Sequence, residues 1–193
     1  MLAGHFGLAG IVRAWRPTLP MGALLVAAQL PDLVFLPLAA LGVEGMEPAG
    51  PALEGYGSAL ITAEYSHALL SNLLLALAVG GLVHVFLRDR WGRDAGVVLG
   101  GVVFSHWLLD LLVHRPDMVL LPGGAHGLPL LGLGLWETPV AAAVVEGSLV
   151  LAGTALYARR TLRDHPDRTR AWLYSAGVGL LLVGSFGYDL LLS

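Results

Sequence analysis

The chain has 193 residues, of which 56% are hydrophobic and only 13% charged, with a net charge of -3 and no cysteine. Soluble domains are about a quarter charged, so the composition excludes an ordinary water-soluble globule and implies an all-α integral membrane bundle in a single domain, residues 1–193. The acidic balance argues against a nucleic-acid partner, and the lack of cysteine excludes disulfides and thiolate metal sites.

The first element is short. Residues 2–14 are apolar but span too few positions to cross a bilayer, so a half-spanning helix is expected. Gly4, Gly7 and Gly10 give it a strip of small residues suited to close helix packing. No basic residue precedes this stretch, so it is not expected to be a cleaved signal peptide. Five longer apolar blocks follow, at about 18–42, 66–87, 94–114, 136–158 and 171–192, each long enough to span. Pro31 and Pro37 fall inside the first and should kink or open it. Ser66, Thr138 followed by Pro139, and Asp167 or Thr169 are expected helix starts. No internal repeat is visible.

The connections differ in charge. Arg13 and Arg16 precede the first long block. Arg88, Arg90 and Arg93 follow the second, and Arg159, Arg160, Arg163, Arg168 and Arg170 follow the fourth. The 43–65 connection carries Glu44, Glu47, Glu54 and Glu64 and no arginine. The positive-inside rule then puts the Arg-rich loops in the cytoplasm, with 43–65, 115–135 and the C-terminus outside.

Ionisable side chains within apolar helices are costly and face partners or cavities. Here they are His5, Asp32, His67, His106, Asp110, His114, Glu146 and Asp189. Asp32 lies 16 residues past Arg16, about 24 Å along a helix. The others also fall toward the external half. His106 and Asp110 are four apart and share a helix face. Histidine and aspartate together suit Zn²⁺, Mn²⁺ or Fe²⁺. Several positions have simpler readings. His114 and Arg115 fit an interfacial boundary before Pro116, His84 and Asp189 fit boundaries, and His126, His165, Glu44, Glu47 and Glu54 fit solvated loops. The stretch GLPLLGLGLW fits a membrane-dipping loop rather than a phosphate loop, having no lysine.

In order, GHFGLAG with His5, LPDLVF with Asp32, YSHALL with His67 and FSHWLLD with His106 and Asp110 resemble the bacterial inner-membrane metal-dependent hydrolases. That family is itself similar to a membrane-embedded zinc-dependent phospholipase C. The likeness covers roughly residues 1–120, and GLGLWETP with Glu137 is less diagnostic. The chain departs from the pattern at Ala63–Glu64–Tyr65, where a basic or His residue is common. It departs again after Asp32, where a second acid is common. The number of metals is therefore left open.

The resemblance implies a metal-dependent hydrolase of the bacterial inner membrane, acting on a phosphoester or lipid-like substrate. His5, Asp32, His67, His106 and Asp110 would hold the metal, most simply zinc. Asp110 would bridge if two ions bind, Glu146 would be a general base or further ligand, and Arg115 would face a phosphate. The alternative is a small transporter using the same cluster as a metal or proton path. It would want inverted repeats and polar residues on both sides of the midplane. A third reading is a purely structural metal.

Overall fold

A computed structural model describes residues 1–47, 60–124 and 127–192; Glu54 and His126 lie outside the described residues. The described part is a helical bundle. Its helices are α1 (Leu2–Trp15), α2 (Met21–Ala28), α3 (Leu30–Ala40), α4 (Leu69–Phe86), α5 (Arg88–Trp91), α6 (Ala95–Val113), α7 (Pro139–Asp164) and α8 (Arg168–Leu192). Helices α4, α6, α7 and α8 are each long and apolar enough to cross a membrane, and α2 with α3 adds a fifth span if counted together. Only 17% of the α4 apolar window is buried in the protein. Leu73, Leu74, Leu77 and Val85 instead cover its outer surface, as lipid-facing residues do.

The expected 18–42 span is broken rather than continuous. Helices α2 and α3 meet at Gln29 with a 51° bend. Pro31 sits in the first turn of α3, where its missing N–H costs nothing. It cannot donate back into α2, so the helix parts just before it. Pro37 stays inside α3 without ending it. The 43–65 connection, expected to be plain loop, carries a short antiparallel ribbon of β1 (Gly45–Glu47) and β2 (Leu60–Thr62). Ser66 does not cap α4, which begins two residues after the site residue His67. Thr138 precedes Pro139 as expected but makes no side-chain cap. Asp167 does cap α8, its carboxylate accepting the Arg170 N–H at 3.0 Å.

Two glycine seams hold the bundle together. Gly7 and Gly10 of α1 lie against α7, and a Cβ at Gly7 would meet the Leu149 backbone at 2.6 Å. A Cβ at Gly153 would overlap the Gly7 carbonyl. Likewise Gly96 and Gly100 of α6 abut Gly80 and Ala76 of α4. Between them α1, α2, α4 and α6 enclose a core that includes Leu24, Leu99, Val102 and Val103. At the Arg-rich end, Arg16 pairs with Asp94 and ties α1 to the start of α6.

These backbones have no room to part without losing their neighbours. Gly153→Val should destabilise the protein by about 1–3 kcal/mol. Gly22→Ala, which faces open space, should change it by less than about 0.5 kcal/mol. Thermal unfolding in detergent compares the two directly.

Candidate metal centre

Donor atoms from three elements, Asp32 on α3, His67 in the turn before α4 and His106 with Asp110 on α6, converge at the end of the bundle away from the Arg-rich loops. His67 Nε2 lies 3.2 Å from His106 Nε2, 3.2 Å from Asp32 Oδ1 and 3.6 Å from Asp110 Oδ2. His106 Nε2 lies 3.6 Å from Asp32 Oδ1 and 3.1 Å from Asp110 Oδ2. Ligand bonds of about 2.0–2.1 Å in a tetrahedron give donor–donor edges of about 3.3–3.4 Å. The three edges among Asp32, His67 and His106, 3.2, 3.2 and 3.6 Å, bracket that value, so these three could hold a divalent ion; Asp110 is not a member of this group, although its Oδ2 lies beside both imidazoles.

His5 adds a second face. Its Nε2 is 3.2 Å from Asp110 Oδ1, the other oxygen of the same carboxylate. Together His5, His106 and Asp110 form a second group that could hold an ion. The rings of His5 and His106 are stacked, with centroids 3.8 Å apart and planes 12° apart. The five candidates thus fall into two three-membered groups that share His106, and Asp110 turns Oδ2 toward His67 and His106 and Oδ1 toward His5.

The imidazoles are fixed from behind. His106 Nδ1 donates to the Ala28 carbonyl at 2.7 Å, which leaves Nε2 as the lone-pair donor toward the site. That carbonyl is available because α2 ends there. His67 Nδ1 lies 2.8 Å from Ser66 Oγ. The turn bearing His67 is clamped on two sides. Glu44 accepts the Tyr65 and Ser66 N–H groups at 2.7 and 2.9 Å, and Asn72 Nδ2 donates to the Ser66 and Ala68 carbonyls at 2.9 and 3.1 Å. Glu44 is thus buried, not solvated as its loop position suggested. Gln29, at the helix break, donates to the Leu2 carbonyl at 2.9 Å and links the bend to α1.

The remaining sequence candidates sit elsewhere. Glu146, expected as a base or further ligand, is fully buried on α7 and accepts the Gly4 N–H at 2.7 Å. It belongs to neither ligand group. Asp189, expected only to mark the interface, accepts the Ala3 N–H at 3.0 Å. Two carboxylates therefore cap the positive N-terminal end of α1, one residue before His5. His114 is buried rather than interfacial, with Nδ1 3.0 Å from Asp117 Oδ1 and its ring 4.5 Å from Trp136. It too lies outside both ligand groups. Arg115 is half-buried in the strap after α6, whose backbone closely approaches Gly132. Glu137 is exposed on a single 3-10 turn, Leu135–Glu137.

The fold and site define a membrane-type helical bundle with a buried His/Asp group that could hold a metal ion. Compared with family models, curated proteins and solved structures, the chain matches none.

Asp110→Asn and His106→Ala should each lower bound metal by at least 10–100-fold, the scale set by losing even an outer partner. His114→Ala should leave it unchanged. Metal analysis of the purified protein reads all three. Glu146→Gln keeps an acceptor for Gly4 and should be mild. Glu146→Leu strands that amide, at a cost of about 1–3 kcal/mol, and should weaken metal binding through His5.

Proposed function

We propose that the chain is a membrane-bound metal-dependent hydrolase acting on a phosphoester at the external side of the bacterial inner membrane. The observation that carries this reading is that each ligand group is incomplete. One offers Asp32, His67 and His106, and the other His5, His106 and Asp110, three residues apiece. A closed shell suits a structural ion, whereas an incomplete one leaves positions for water and substrate.

Asp32, His67 and His106 would hold one divalent ion, and His5 and Asp110 with His106 the other. Zinc fits this donor set best; manganese or iron would also be accepted. Such ions supply Lewis acidity and bring the pKa of a bound water to about 7. The chain's own groups do the rest. Asp110 holds both halves in register through its two oxygens. Ala28 keeps the His106 Nδ1 proton in place, and Glu146 and Asp189 hold the turn that carries His5.

A structural metal is the second reading, and the burial of His5, His67, His106 and Asp110 favours it. A transporter has less support, because both ligand groups share one end of the bundle and α4 and α6 are apolar toward the other.

Chelation of the purified protein should abolish hydrolysis of a phosphoester probe, and zinc should restore it, with helicity unchanged throughout. Full activity without metal would sink the reading. For sidedness, the absence of native cysteine makes single labels clean. A cysteine at Gly42 should react with an impermeant reagent from outside, and one at Arg163 should not. The reverse pattern would invert the orientation.

A further inference from the structure

We propose that the metal centre is entered sideways from the bilayer, over α3, and that its substrate is a membrane lipid. The lipid phosphate would reach the ion held at Asp32, His67 and His106 while the acyl chains stay in hydrocarbon. This inference rests on the hydrolase reading above.

The way in is marked by exposure. The side chain of Asp32 is 39% exposed, against 7% or less for His5, His67, His106 and Asp110. Anything approaching the cluster from outside therefore meets Asp32 first. On α3 the exposed positions are Leu33, Leu36, Pro37 and Ala40. Their spacing of three, four and seven defines one helical stripe, and every member is apolar. Asp32 is adjacent to Leu33 and one turn before Leu36, so it borders this stripe. It is also the only charged residue in α3. The buried face of α3 turns the other way, with Phe35 set edge-on to His67 at 6.1 Å.

An entrance for a free, soluble phosphate would be lined with cations and polar groups that focus an anion. This one is lined with leucine. The surface continues onto the ribbon packed against α3, where Met46 is 59% exposed. The level is also right for a lipid headgroup. His67 lies just before α4 begins, and Asp110 is three residues from the end of α6. The cluster thus runs from just outside the start of α4, at His67, to about 5–10 Å inside the end of α6, at Asp110 and His106, close to the boundary between hydrocarbon and headgroups. The 51° bend at Gln29 produces the opening, because it turns α3 away from the line of α2.

The test uses the full chain loaded with Mn²⁺ and reconstituted in phosphatidylglycerol vesicles, with glycerol 3-phosphate added to the water. Phosphorus-31 relaxation reports which phosphate visits the ion. The lipid phosphate should be relaxed at least about tenfold more per phosphate than the soluble one, a preference of ~1.4 kcal/mol. Leu36→Glu, which puts an anion on the route, should reduce lipid relaxation about tenfold with Mn²⁺ content unchanged. Leu36→Met should preserve it. Equal relaxation of the two phosphates would mean the opening faces water and would overturn the proposal, as would a Leu36→Glu protein that behaves like wild type. If a water-soluble ester is hydrolysed while lipid phosphate is unrelaxed, lateral entry fails and the hydrolase reading stands. If no Mn²⁺ is retained, both fail together.

Discussion

Asp110 is the constraint on which the rest of this structure depends. Its carboxylate is 4% exposed, within a helix of almost unbroken apolar sequence. A buried charge in such surroundings is tolerated only with close partners. Three imidazoles supply them, from α1, from the turn before α4 and from Asp110's own helix. Each of these must be delivered to within about 3–4 Å of one side chain. The glycine seam between α1 and α7, the clamp of Glu44 and Asn72 and the carboxylate cap on α1 all serve that delivery.

The break between α2 and α3 does several jobs with one irregularity. An unbroken helix would consume the Ala28 carbonyl in its own ladder. The break releases it to fix the His106 tautomer. It also places Gln29 where its amide reaches α1, and turns α3 so that Asp32 faces the cluster with one edge outward. Backbone irregularity inside a membrane survives only where protein re-satisfies it, and here the re-satisfying partner is a candidate metal ligand.

Much of this was legible beforehand, for identifiable reasons. Apolar blocks of about 20 residues announce spanning helices, and the short first block announced a half-length one. His5, Asp32, His67, His106 and Asp110 stood out because ionisable groups are conspicuous against leucine. Their convergence followed from depth alone. What failed were judgements needing a partner's identity. Glu146 also caps α1 and joins neither ligand group, which the sequence hides because nothing local reveals that Gly4 will lie opposite. Glu44 looked solvated because its loop is acidic, yet the chain returns at Tyr65 to bury it. His114 looked interfacial because Pro116 follows, whereas Asp117 and Trp136 enclose it. Asn72 was the one outer partner that could have been found, being a polar residue in an apolar span. Two ions bridged by Asp110 stood among the alternatives, but which imidazole joins which group was beyond reach, since ring stacking leaves no trace in spacing.

The sequence separations within the cluster also constrain how the protein is made. His5 and Asp110 are 105 residues apart, and His67 and His106 are 39 apart. During synthesis, then, no site exists until the sixth helix has entered the bilayer. Until that moment His5, Asp32 and His67 reside there without the carboxylate that unites them. Glu146 and Asp189, which secure α1, arrive later still, 142 and 186 residues after the amides they bind. Any ion this group holds would therefore load late in biogenesis, and the last two helices act as the latch on α1.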